Sequence, residues 1–413
     1  MVAVLLGGQL AAALGFYAVM AHLVAHLRDD LGLLAGMIGL VLGVRVGVQY
    51  ALYLVVGPVT DRIGAARAAT VACLLRAVGF TALGAADGLV VLFGTVVLLG
   101  IGGALFQPAT RSLLAGLGAR RGSRGFGGYI AVGQVAAVAG PPVGLVLVLD
   151  AGFGLLCGAA AAAWAVAAVL FATLRRPAPA SGGVSHGLGR SLRAVLRDRA
   201  YLRFTLLAAP TTLLPTQTSV VVPLKGFEAE VTTLYFCVSA AVAAAVQPWC
   251  AATDSRGGVR AGRGWVLPVS LAVSGAGYLL LIPLDDHGAV SVAALVGVAV
   301  LQGLSYGLLE PAVFQNVARH APSSQVGAYY GVMAFVGGVV AFVGGLVVGR
   351  LFDLGQAGAA AALAGLAVLG LATAAWPAIA HAASRRNFAA TGAAASAPVP
   401  PPSTTTAKAR SPR

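Results

Sequence analysis

Of the thirteen acids in this 413-residue chain, Glu310 alone falls deep inside a long apolar run. An ionisable group in such surroundings is costly and functional by default, and a carboxylate there can load and release a proton. Gln302, Tyr306 and Glu310 recur at i, i+4 and i+8, which puts them on one helix face, and Pro311 beside them removes a backbone donor. Arg45, Gln49 and Tyr53 repeat that spacing in another apolar run. An arginine at the centre of a bilayer costs ~2.5–3.5 kcal/mol, so it must face a cavity or a partner. Arg45 can therefore offset the charge of Glu310 or bind an anionic group of a substrate, whereas Arg76 and Arg111 are expected to hydrogen-bond between helices. His22 and His26, near the end of the first run, are expected at a hydrated interface. Tyr17, Gln49, Tyr53, Gln107, Gln134, Gln217, Tyr235 and Tyr306, with Phe16, supply aromatic and amide groups from several runs. Flat apolar walls with few hydrogen-bonding groups suit an amphiphilic organic compound better than a sugar.

Other chemistries find no support. No nucleophile, base and acid combine into a catalytic set, so no enzyme activity is expected. The four cysteines (Cys73, Cys157, Cys237, Cys250) lie in apolar runs without paired spacing, which excludes a disulfide framework and a metal site. No cofactor is expected.

The elements that hold these residues are membrane helices. Hydrophobic residues make up 59% of the chain and charged residues 10%, and mean hydropathy is +0.89. A soluble domain carries about 25% charged residues, so this chain cannot cover a soluble surface. Runs of roughly 20 apolar residues span a bilayer, and twelve are present, near 2–26, 36–57, 68–86, 89–110, 126–149, 153–174, 201–224, 232–252, 265–283, 289–317, 327–349 and 357–381. The chain also repeats itself. Gly100, Leu105, Pro108-Ala109, Ala115, Gly128, Ala131, Asp150 and Gly152 recur as Gly303, Leu308, Pro311-Ala312, Ala318, Gly331, Ala334, Asp353 and Gly355, at a constant offset of 203. A duplicated helical bundle with its site between the copies is the layout of a secondary transporter. In this register Glu310 is matched by Gln107, which cannot carry a proton.

The formal charge of +14 is topological. Arg62, Arg67, Arg120, Arg121, Arg124, the run Arg175 to Arg203, Arg256, Arg260, Arg263, Arg319, Arg385 and Arg386 fall on one side of the membrane. Arg28, Lys225 and Arg350 fall on the other, with most of the acids. The basic side is expected in the cytoplasm with both termini, and no nucleic-acid partner is implied. The expected organisation is a six-helix bundle over 1–175, a linker over 176–200 with a basic amphipathic helix from Leu188 lying at the membrane surface, a second six-helix bundle over 201–382, and a disordered tail over 383–413.

The loop after the second run reads Gly57-Pro58-Val59-Thr60-Asp61-Arg62-Ile63-Gly64-Ala65-Ala66-Arg67. It resembles the G-x-x-x-D-R-x-G-R-R signature of the major facilitator superfamily, with Ala65 in place of the first basic residue after Gly64 and Arg67 retained. A decayed second copy includes Asp254 and Arg256. The fifth run, with Gly127, Ala136, Gly140-Pro141-Pro142-Val143-Gly144, is similar to the glycine and proline motif of the drug/proton antiporter branch, with Ala136 and Leu145 replacing two glycines. Leu14-Gly15-Phe16-Tyr17, Gly43-Val44-Arg45, Leu75 to Phe80, Glu310-Pro311-Ala312, Tyr330-Gly331 and Leu351 to Gly355 resemble MdtH-type bacterial multidrug exporters. The resemblance implies an all-α fold of twelve transmembrane helices in two pseudo-symmetric six-helix bundles, with Asp61 and Arg62 as a cytoplasmic gate latch. It also implies a monomer of the cell membrane whose partners are lipid, protons and a small-molecule substrate. The expected activity is proton-coupled export of hydrophobic or amphiphilic compounds, with Glu310 and Arg45 as coupling residues; a metabolite or nutrient carrier on the same fold is the alternative.

Overall fold

The structure, a computed structural model, describes residues 1–116, 119–174, 188–257, 265–284, 289–321 and 326–395. Among them every regular element is a helix: α1 (Val2–Ala25), continued by a π-helical turn (His26–Asp30), α2 (Ala35–Ile63), α3 (Ala65–Gly84), α4 (Leu89–Ala115), α5 (Ala119–Ala172), α6 (Leu188–Arg197), α7 (Arg199–Ala208), α8 (Pro210–Leu224), α9 (Ala229–Gly257), α10 (Val266–Leu281), α11 (Ala289–His320), α12 (Val326–Phe352) and α13 (Gly355–Ala395). Nine stretches among the described residues are long and apolar enough to cross a membrane. One of them, Gly125–Ala172, is double: Gly152, at φ 80 and ψ 173, breaks α5 into two crossings. The shorter α10 and the α7–α8 pair complete the twelve. Gly152 and Gly64 (φ 86), which ends α2, hold a left-handed backbone that favours glycine and lets one helix follow another almost without a loop.

Four elements depart from the expected boundaries. The segment expected as a loop from Gly57 is helical, α2 running on to Ile63 and α3 starting at Ala65. The seventh run is two helices, because Pro210 lacks the amide that would continue α7. The basic linker helix ends at Arg197, where Asp198 caps α7 by accepting from the Tyr201 amide at 2.9 Å. Its Val195 is fully buried in a small cluster with Tyr201, Val317, Tyr329 and Val332, so α6 packs on protein rather than lying on a surface alone. Finally, α13 continues to Ala395 through an alanine-rich stretch of high helix propensity, where a tail was expected from residue 383.

The residues form two compact units, Met1–Ala374 and Ala375–Arg413. Within the first, one hydrophobic core is built from residues between Leu5 and Leu174 together with Val220, and a second from residues between Leu213 and Ala367. Small residues let backbones meet. A side chain at Gly144 would lie 2.5 Å from the Ala18 carbonyl of α1, and one at Gly140 would meet Tyr17, so these two motif glycines of α5 serve close packing; Gly127 meets nothing within 4 Å. Between α2 and α12 the contact is tighter still: side chains at Gly39 and Gly349 would collide with the carbonyls of Gly345 and Ala35. At that end Leu34 provides no side-chain cap for α2. The Asp353 carboxylate fills the role from the turn after α12, accepting the Gly36 amide with both oxygens at 3.1 Å.

Candidate functional site

Two intramembrane guanidiniums meet in the first core. Arg76 on α3 is buried, with its Cζ 4.8 Å from the Phe16 ring centroid and 4.9 Å from that of Trp164. Arg45 on α2, half-buried, approaches Phe16 at 5.8 Å. Such cation–π contacts are worth about 2 kcal/mol when desolvated, less than the insertion cost of the charge. They also leave the N–H donors unmet: the buried Nε atoms of both arginines lack hydrogen-bond partners. Gln49, one turn from Arg45, instead donates to the Tyr53 hydroxyl at 3.1 Å.

Glu310 and Tyr306 are exposed, although Ser305, Leu308, Leu309 and Ala312 beside them on α11 are buried. Tyr17 of α1, Tyr50 of α2, Arg111 of α4, Tyr129 of α5 and Tyr306 lie within electrostatic range of Glu310. Groups from so many helices can surround one carboxylate only if it points into the space between them. The arginine within electrostatic range of it is Arg111, whose Nη2 donates to Gln107 Oε1 at 3.1 Å. Arg45 has Tyr50, Tyr53 and Arg76 as its electrostatic neighbours, so its expected role as counter-charge to Glu310 finds no direct contact. The ion pairs among the described residues are His26–Asp30 at 2.5 Å and Arg28–Asp29 at 2.6 Å, both far from Glu310 at the end of α1. His22 does not face an interface; its Nε2 is 3.0 Å from the Pro141 carbonyl oxygen in the packed α1–α5 contact.

The other expected wall residues divide. Gln134 on α5 donates to Gln247 on α9 at 2.9 Å. Nearby, Pro142 cannot bond the Val138 carbonyl, and the Cys237 thiol of α9 donates to it at 3.4 Å. Gln217 is buried beside Gly39, Gly43 and Gly345 in a small pocket between α2, α8 and α12. Tyr235 is buried in the second core, away from open space. Tyr50, Tyr129 and Arg111 join the Glu310 cluster without having been marked as its members. Arg111 carried a signal, the i, i+4 spacing from Gln107, the repeat mate of Glu310; Tyr50 and Tyr129 carried none. In the gate motif, Gly57, Arg62 and Arg67 are exposed. The side chains of Asp61, Asp254 and Arg256 lie outside the described residues. No cluster of metal-ligating side chains occurs among the described residues.

With its helical bundles, its internal repeat and a polar centre between α1, α2, α4, α5 and α11, the chain belongs to the Major Facilitator Superfamily, whose sequence profile matches residues 5–345. It is thus a multi-pass membrane protein and a secondary transporter. It is similar to an uncharacterized MFS-type transporter of Mycobacterium tuberculosis, 30% identical over 369 residues and 85% of each chain. It is also similar to the multidrug resistance protein MdtH of Klebsiella pneumoniae, 31% identical over 223 residues, 51% of this chain and 52% of that one. A crystal structure of a POT family transporter in complex with a thioalcohol conjugated peptide shares the fold, with a TM-score of 0.77, 14% identity and coverage of 92% of this chain and 95% of that chain.

Proposed function

We propose that this transporter exports amphiphilic small molecules in exchange for protons, with Glu310 as the proton carrier. The observation that carries the reading is Glu310 itself: the one carboxylate within an apolar run, exposed in mid-helix and ringed by tyrosines from α1, α2, α5 and α11. Aromatic walls with few fixed hydrogen-bonding groups suit a flat, partly apolar compound, and the similarity to MdtH supports export of such compounds. Each proton entering down a 100 mV potential supplies ~2.3 kcal/mol to bias the cycle. In this reading residues 1–175 and 201–382 form the two moving halves of a monomer in the cell membrane. The linker 176–200 and both termini lie in the cytoplasm, and the Asp61–Arg62 loop latches that side with Arg67, Asp254 and Arg256.

The test is flux into proteoliposomes under an imposed pH gradient, across a panel of dyes and drugs. Glu310→Gln is expected to abolish gradient-driven transport while leaving binding of the transported compound within about threefold of native, since a neutral amide keeps the shape of the protonated acid. Undiminished gradient-driven transport by this variant rejects the assignment.

A further inference from the structure

Arg45 and Arg76 lie deep in their apolar runs and Arg111 just past the end of another, against one carboxylate deep in such a run, Glu310. Arg111 has Glu310 in electrostatic range and Gln107 as a hydrogen-bond partner. Arg45 and Arg76 have neither: among the described residues no hydrogen bond and no ion pair reaches either one, and the Nε of each is buried. Both stand over the ring of Phe16, and Arg76 also stands over the ring of Trp164. Aromatic faces compensate charge but accept N–H donors poorly, so the donors of two adjacent cations stay unmet. Gly103 of α4 lets the Arg76 guanidinium pack directly on the helix backbone, since a side chain there would displace Arg76 Nη2 and Gln49 Oε1. The unmet donors and the excess positive charge together call for an acceptor carrying negative charge.

We infer that the compound carried is an organic anion, whose carboxylate, sulfonate or phosphate group is held by Arg45 with Arg76 behind it, while its apolar part lies along Phe16 and the tyrosines. The inference rests on the transport of amphiphiles proposed above and adds the sign of their charge. Arg45, the more open of the two, meets the anion; Arg76, standing over two rings, raises the local positive potential and fixes Phe16.

Three probes on one skeleton test it: 1-pyrenebutyrate, its primary amide and the corresponding pyrenylbutyl trimethylammonium ion. Binding to the full-length protein in lipid nanodiscs is measured by quenching of tryptophan fluorescence, with empty nanodiscs subtracted. The carboxylate is expected to bind at least about tenfold tighter than the amide or the cation, the scale of one hydrogen bond to a charged group. In Arg45→Gln that preference should fall to within about twofold, and Arg45→Lys should restore part of it. Arg76→Gln serves as a second variant, and where it does not fold Arg45 decides alone. Equal affinity for the three probes, a preference for the cation, or an anion preference that survives Arg45→Gln overturns the inference and leaves the export reading standing. Binding of none of the three removes the amphiphile reading and this inference with it.

Discussion

The α3–α4 crossing and the α10–α11 crossing are the same place in the two copies of the repeat, and they handle buried polarity in opposite ways. In α10–α11 four neutral groups satisfy one another. Ser274 Oγ donates to Gln302 Oε1 at 3.0 Å, Gln302 Nε2 donates to the Ser274 carbonyl at 3.2 Å, and Ser305 Oγ donates to the Ser270 carbonyl at 2.8 Å. In α3–α4 the repeat mate of Ser305 is Gly102, which packs against the side chain of Arg76, and the polarity there is a guanidinium lacking a hydrogen bond. The backbone frame is nonetheless shared. Gly100 lies against the Arg45 carbonyl and Val48 of α2, and its repeat mate Gly303 lies against the Ser239 carbonyl and Val242 of α9. Duplication thus preserved the close approach of helices, and the polar chemistry diverged on top of it. A paired network costs the fold little, whereas a buried, unbonded charge costs several kcal/mol. The second half's crossing is explained by stability and the first half's is not.

The comparison breaks most severely at the shared frame. Valine at Gly303 or Gly100 sets a Cβ 2.5 Å from the Ser239 carbonyl or 2.8 Å from that of Arg45, and backbone cannot move aside. Each variant is expected to lose ~3 kcal/mol or more and to run as aggregate in size-exclusion chromatography in detergent. If only one of them does so, the two crossings do not share a frame. Gln302→Leu comes next: it strands the Ser274 hydroxyl and should cost ~1–3 kcal/mol, seen as a lower thermal midpoint. Arg76→Met is expected to go the other way, with an unchanged or raised midpoint, because a hydrophobic side chain of similar volume replaces an uncompensated charge. A fall as large as that of Gln302→Leu would show that Arg76 is structural cement. The smallest effect belongs to Gly57, where an added Cβ meets nothing within 4 Å. Gly57→Ala should leave the midpoint within ~0.5 kcal/mol of native, so a loss of transport in that variant would locate the motif's action in a different conformation.

Membrane helices, their number and their duplication were legible because apolar run length and a constant repeat offset are properties of the sequence alone. Asp150 and Gly152 marked the turn inside α5, whereas the end of α2 was expected at Gly57 and lies six residues further on, at Ile63. The break at Pro210 was hidden because apolar residues continue across it, and Asp198 read as one more charge in a basic linker although it is a helix cap. At the site, Glu310 and Tyr306 were legible from spacing, and the structure exposes both. The partner of Glu310 was not. Arg45 and Arg111 look alike in sequence, and only the packing of α2 and α4 decides which one lies within range of the carboxylate. Tyr235 shows the same limit, since an aromatic in an apolar helix reads identically whether it lines open space or, as here, a core.

The meeting of α2 with α12 has a bearing on how the molecule changes state. Backbone rests on backbone there, at Gly39, Gly345 and Gly349, with a carboxylate on a helix end in place of interlocked leucines. Parting the rods at this end alone would bare few methyl groups, and at ~25 cal/mol per Å² of newly wetted hydrocarbon the penalty there stays small, whereas further along Phe342 and Tyr50 pack across the seam. The Gly36 amide and the Asp353 oxygens would each find water waiting. A joint of this make separates and re-forms cheaply, like a door on a magnet instead of a bolt.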